Sequence, residues 1–118
     1  NFHKFTNNKN ILNKIYKMTD IYISTSVYEG FPNTLVEAVN NECLVISSKS
    51  FGGCREIIKS EKYGLLYSTY NYKQLFNKID YAIKNFNLCK SKIKIAKTNL
   101  KIKAFNNNSN YKKFFKSI

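Results

Sequence analysis

The chain has 118 residues, 43% of them apolar and 15% aromatic, with four Gly and one Pro. That composition excludes disorder and collagen-like or low-complexity classes, and it fits one domain with one modest core. Twenty Lys and Arg against seven Asp and Glu give a net charge of +13, which points either to an acidic partner or to an A/T-rich coding sequence, since Lys, Asn, Ile, Tyr and Phe are all abundant.

The longest unbroken apolar run, residues 43–46, falls far short of the ~20 residues of a membrane-spanning helix. The N-terminus lacks the apolar stretch of a signal peptide and an initiator Met, so a fragment or processed product is expected. Cys43, Cys54 and Cys89 form no C-x-x-C pair, and His3 is the sole histidine. A disulfide framework, a zinc site and a His-dependent triad are therefore not expected, and a reducing compartment is. Cys54 reads as an inert small apolar residue.

Period and punctuation predict alternating helices and strands. Residues 10–18 form a helix with Ile11, Ile15 and Met18 on one face, followed by a β-rich run over 21–26. Gly30, Phe31, Pro32 and Asn33 break that strand. A second helix follows, with Pro32 in its first turn or Asn33 as its cap, and runs through Leu35, Val36, Ala38 and Val39. Asn40 and Asn41 stop it. A strand over 43–48, a turn at Gly52 and Gly53, a short helix over 54–59 and a strand over 64–68 come next. Tyr72, Leu75, Phe76, Ile79, Ala82, Ile83 and Phe86 repeat at i, i+3, i+4, the clearest helix in the chain.

The C-terminal segment is two-faced: Ile93, Ala96, Leu100 and Ala104 share one helical side, while Leu88, Ile95 and Ile102 lie nearly opposite. An Asn-rich stretch at 106–110 interrupts it before Tyr111, Phe114 and Phe115. Residues 84–118 hold ten Lys and no acid, whereas residues 1–83 hold ten cations and seven acids. The expected organisation is a domain over 1–86 and a basic helical tail over 87–118. Strands separated by helices imply a parallel sheet with crossover connections, here an incomplete doubly wound α/β sheet.

The chemistry concentrates where the first strand turns into the second helix, the place at which open α/β sheets bind ligands. Gly30 lets a ligand approach the backbone, and the unpaired N–H groups of the helix start, with its dipole, form an anion site. Glu29 precedes the helix. Glu37 lies about 7–8 Å of axial rise beyond Pro32. That separation is too wide for a proton-sharing pair but suits hydroxyl groups at the two ends of a diphosphate, since a carboxylate accepts two hydrogen bonds from a diol. A solvated loop acid at 29 and a surface helix acid at 37 are the plainer alternative.

Ser26-x-x-Glu29-Gly-Phe-Pro-Asn-x-x-x-Glu37-Ala38 resembles the E-x7-E motif of the family 4 retaining glycosyltransferases. The strand at Thr19–Ile23, the segment from Cys43 to Ser48 with Gly52-Gly53-Cys54-Arg55-Glu56-Ile57-Ile58, and Tyr63-Gly64-Leu65-Leu66-Tyr67 resemble the family's flanking motifs in order. The ordered resemblance runs from about Phe5 to Ser68. It implies an α/β, Rossmann-like parallel sheet with flanking helices, the C-terminal, donor-binding part of a GT-B enzyme. On that resemblance Glu29 would act as the catalytic-site carboxylate on the donor sugar. Gly30, Phe31, Pro32 and Asn33 would face the sugar and diphosphate, and Glu37 the ribose. Gly52, Gly53 and Glu56 would line the rim, with a simple turn and a helix-start charge as their alternatives.

The reaction implied is sugar transfer with retention, with no metal or other cofactor and with a nucleoside-diphosphate sugar, expected to be a UDP-sugar, as donor. The acceptor would be a glycan or lipid-linked molecule in cell-surface polysaccharide or glycoconjugate synthesis, in the cytoplasm at the inner face of the membrane. The Arg and Lys with which the family neutralises the leaving diphosphate do not map onto this chain, so the chain alone is expected to have little activity. Glu42 stands where the family has Gly, which leaves the tightness of that turn open. A non-catalytic basic module on an anionic membrane is the alternative. Nucleic acid is not an expected partner, with one Arg and no recognition motif, and no G-x-G-x-x-G follows a strand.

Overall fold

The computed structural model describes residues 4–106. The side chains of Glu29 and Phe51, together with His3, Tyr111, Phe114 and Phe115, lie outside the described part. The elements in order are α1 (Lys9–Lys17), β1 (Ile21–Ser24), β2 (Tyr28–Glu29), α2 (Asn33–Asn40), β3 (Leu44–Ser48), β4 (Phe51–Gly52), α3 (Cys54–Ile57), β5 (Leu65–Tyr67), α4 (Tyr72–Lys84) and α5 (Phe86–Phe105). β1, β3 and β5 form a wholly parallel sheet in the order β1-β3-β5, with Ile21 opposite Leu44 and Ile46 opposite Leu65. The expected parallel α/β sheet is present. β3 is buried along its whole length, as a central parallel strand covered on both faces should be.

Helix boundaries follow from local chemistry. The Asn8 side chain accepts from the N–H groups of Asn10 and Ile11 and opens α1, as an N-cap does. α2 closes through the N–H of Glu42 on the Val39 carbonyl and that of Cys43 on the Ala38 carbonyl, the paired bonds of a Schellman end. Asn71 caps α4 by accepting from the Gln74 N–H at 2.9 Å.

Two apolar clusters cover the two faces of the sheet. On one face Leu35, Val36 and Val39 of α2 meet Val45, Ile57, Ile58 and the α5 residues Ala96, Leu100 and Ala104. On the other, Leu44, Ile46, Leu65 and Tyr67 meet Ala82 of α4 and Cys89 of α5, flanked by Leu75, Ile79 and Phe86. Of the two stripes predicted on α5, the one with Ala96, Leu100 and Ala104 is in the core, while Leu88, Ile95 and Ile102 are exposed. Residues 86–105 therefore pack with the body through their helical part, and the expected boundary at residue 86 falls at the α4–α5 junction.

Several expected elements differ in extent. The run over 21–26 leaves the main sheet after Ser24, and Tyr28–Glu29 instead pairs in parallel with Phe51–Gly52, a two-residue ladder with no pattern of its own. Pro32 stands at the N-cap of α2 rather than inside its first turn, and Asn33 is helical rather than a cap. The helix expected to run from Tyr72 to Phe86 breaks at Asn85, whose side-chain amide donates to the Tyr81 carbonyl. On α4, Tyr72, Phe76 and Ile83 face outward, because Leu75, Ile79 and Ala82 already fill the width of the β3–β5 surface.

Candidate functional site at the start of the second helix

The β2–α2 turn is held from below by the second glycine of the Gly52-Gly53 pair. A Cβ added at Gly53 would stand 2.5 Å from the Gly30 carbonyl oxygen and 2.7 Å from Pro32 Cδ, so only a glycine lets the two loops touch. Gly52 has φ 97°, a left-handed conformation that glycine adopts without steric cost. β2 pairs Glu29 with Gly52 in register. The β2–β4 ladder and the Gly53 contact thus bring two separate segments, Glu29, Gly30 and Pro32 on one and Gly52 and Gly53 on the other, to one place. The Gly pair is a turn, and the turn abuts the predicted site. Nothing stands within 4 Å of a Cβ placed on Gly30, so the front of this loop is open.

Behind the loop, α2 begins without a side-chain cap. The Asn33 N–H bonds the Phe31 carbonyl and the Val36 N–H bonds the Pro32 carbonyl. The N–H groups of Thr34 and Leu35 have no partner among the described residues. An uncapped helix start of this kind carries concentrated positive partial charge.

Glu37 lies on the half-exposed side of α2, and its Oε2 accepts from the Tyr16 hydroxyl at 3.1 Å. The same hydroxyl reaches the Thr34 carbonyl at 3.3 Å, and the Tyr22 hydroxyl lies 2.8 Å from Thr34 Oγ1. α1 and β1 therefore supply two phenols that orient the first turns of α2. Burial, with the Glu37 carboxylate as second cause, holds the Tyr16 phenol well above its usual range, so Tyr16 stays a proton donor to Glu37. Sequence periodicity did not single out Tyr16, Tyr22 or Thr34. The available signal was weak: two tyrosines near an apolar helix and strand, each with a hydroxyl that needs a partner when partly buried.

The carboxyl edge of the sheet carries a second set of hydroxyls that sequence reading missed. The Tyr67 hydroxyl donates to the Ser24 carbonyl at 3.3 Å, and the Ser48 hydroxyl to the Ser26 carbonyl at 2.5 Å. Both bonds tie the segment leaving β1 to the ends of β3 and β5, so the turn springs from a braced edge. Glu56 lies exposed in the first turn of α3, beyond the glycines. Among the described residues no group of His, Cys, Asp and Glu is arranged to hold a metal ion.

Comparison with known proteins agrees with this architecture. The family described as "Glycosyl transferases group 1" matches residues 1–99. An enzyme of Campylobacter jejuni, N-acetylgalactosamine-N,N'-diacetylbacillosaminyl-diphospho-undecaprenol 4-alpha-N-acetylgalactosaminyltransferase, is 29% identical over 82 residues, which are 70% of this chain and 22% of that enzyme. The crystal structure of the C-terminal domain of a glycosyl transferase group 1 family protein from Francisella tularensis superposes with a TM-score of 0.75 at 27% identity, over 86% of this chain and 52% of that one. The fold is also that of Anabaena HepE, solved in complex with UDP, with a TM-score of 0.65 at 23% identity over 72% of this chain and 23% of that one. The chain thus spans about a fifth of its curated relative and about half of the isolated Francisella domain.

Proposed function

Since the chain belongs to the group 1 glycosyl transferase family, we propose that it forms the donor-binding half of a site that transfers a sugar, with retention of configuration, from a nucleoside-diphosphate sugar. The observation that carries this reading is the clasp of Gly53 against Gly30 and Pro32, which sets an open loop in front of an uncapped helix start and beside Glu29. In this arrangement the free N–H groups of Thr34 and Leu35 receive the negative charge that develops on the departing diphosphate. Preorganised donors of this kind supply most of the transition-state stabilisation in many enzymes. Glu37, oriented by Tyr16, accepts from the ribose hydroxyls, and Glu29 from the donor sugar. A UDP-sugar is the donor to try first. The diphospho-undecaprenol in the name of the Campylobacter jejuni relative supports a lipid-linked acceptor, in cell-surface glycan assembly at the cytoplasmic side of a membrane.

The test is transfer by the full-length protein carrying Glu29→Ala or Glu37→Ala. Each substitution removes charge-assisted hydrogen bonds made to substrate, which are worth ~1.5–3 kcal/mol, so transfer should fall at least about tenfold. Unchanged kinetics in both variants would end the assignment. The 118-residue chain alone should show little turnover.

A specific observation also favours peripheral membrane contact. Leu88, Ile95 and Ile102 recur every seven residues along the outward side of α5, with Phe105 near its end, and all four are exposed. Lys90, Lys94 and Lys101 form a second row about a third of the helix circumference away, also exposed. An apolar row with a separate row of Lys is the layout of an interfacial helix; no described helix is long and apolar enough to cross a membrane. The chain should sediment with anionic vesicles in low salt and be released as salt rises. Equal binding to neutral vesicles, or none, would remove this contact.

A further inference from the structure

Against α3 lies a cavity of about 320 Å³, lined also by Cys54 and by the Ser48 that bonds the Ser26 carbonyl, at the small end of the ~300–1,000 Å³ typical of small-molecule sites. Its floor is Ser47 and Leu66, register partners on β3 and β5, and Ile58 closes one wall. Lys49, Arg55 and Lys59 line it, and no carboxylate does so among the described residues. Lys49 leaves the carboxyl end of β3. Arg55 lies on α3 and Lys59 two residues beyond its end. Neither Lys49 nor Lys59 has an acidic partner among the described residues. Ser47 is buried to 1% exposure and its hydroxyl donates to the Ser48 carbonyl at 3.1 Å, so what the cavity offers a ligand rich in acceptors is the cations at its rim.

We propose that this cavity is a second binding site, for a phosphoryl group, distinct from the donor loop. A bound phosphate would give Lys49 and Lys59 the acidic partner that neither has among the described residues. Such a group has two sources: the diphosphate of a lipid-linked acceptor, which rests on the function proposed above, and a free phosphorylated molecule, which does not.

The experiment is a titration of the 118-residue chain with inorganic pyrophosphate in low salt, read by calorimetry and by amide chemical shifts. Saturable binding is expected, with shifts at Ser47, Lys59 and Leu66. Lys49→Ala/Lys59→Ala should weaken it at least about tenfold, the loss of one or two charge-assisted contacts. Lys62→Ala/Lys73→Ala, which removes two exposed cations elsewhere, should leave it unchanged, as should Glu37→Ala. Absence of saturable binding, or an equal loss in the Lys62/Lys73 variant, would overturn the proposal. A parallel titration with UDP separates the two sites. Weakening by Glu37→Ala but not by Lys49→Ala/Lys59→Ala keeps them distinct, while weakening by both would make the cavity part of the donor site and also overturn the proposal. Capture of neutral vesicles carrying a polyprenyl diphosphate, lost in Lys49→Ala/Lys59→Ala, identifies the acceptor as the source; pyrophosphate binding without capture identifies a free phosphate.

Discussion

At Glu42 the backbone takes φ 64°, the left-handed conformation that costs an L-residue roughly 1–2 kcal/mol. It occupies the C′ position of the Schellman end of α2, where glycine is preferred and where the sequence comparison marked Glu for Gly. Its carboxylate meets Lys97 at 3.3 Å while 67% exposed, and an exposed pair of this kind is worth about 0–1 kcal/mol. Glu42→Gly should therefore stabilise the chain by about 0.5–1 kcal/mol once glycine's larger unfolded-state entropy is counted, read as a higher urea midpoint with unchanged slope. A lower midpoint would mean that the Lys97 pair outweighs the backbone strain. The turn whose tightness the Glu left open is thus as tight as a glycine would make it, at a local cost. Gly53 is the opposite case, since no side chain at all can be placed there without moving the Gly30 carbonyl.

Among the elements, α5 differs most in kind from a simple surface helix. It carries two apolar stripes and a single choice of which to bury. Leu100 is fully buried against α2 and β3 while Ile102, two residues on, is 54% exposed. Leu100→Ala should cost about 2–5 kcal/mol, the loss of a buried side chain plus the cavity it leaves. Ile102→Ala should stay within about 0.5 kcal/mol. Chemical denaturation of the two variants measures both, and equal costs would mean that α5 docks with no preference between its faces. The Lys-rich composition of this segment does not detach it from the fold, because the charges sit on arcs that the core does not use. Lys97 and Lys92 are further tied down, to Glu42 and to the Glu61 carbonyl.

For the whole molecule, buried titrating groups set the alkaline limit. Burial, with Asp20 second, pushes the Cys43 thiol from 9.0 up to about 11, and the Tyr16 phenol is raised further from its ordinary 10.0. An acid held protonated in the native state while the unfolded chain ionises contributes stability that is complete below the unfolded pKa and is lost as pH climbs toward the folded one. Stability should thus hold up to about pH 9 and fall above it, first through Cys43 and Cys89, whose thiol burial also raises, and then, from pH 10, also through Tyr16 and the buried Tyr67. Tyr16→Phe should flatten the later part of that fall and leave the earlier part in place. Denaturation midpoints across an alkaline pH series check it, and an unchanged slope above pH 10 would mean that Tyr16 ionises alike in both states.

Local sequence by itself determined the alternation of strands and helices, the parallel character of the sheet and the strand-turn-helix around Gly30. Those features depend on spacing along the chain, on Gly, Pro and Asn punctuation, and on runs that can only be buried one way. Tertiary structure alone decided which stripe of α5 enters the core, how much of the α4 stripe the sheet can cover, that Gly53 meets Gly30 and Pro32, and that Tyr16 reaches Glu37. Each of these is a choice between locally equivalent options or a contact between distant segments. Such choices are made by which surfaces remain to be covered once the sheet has formed, and no window of neighbouring residues contains that information.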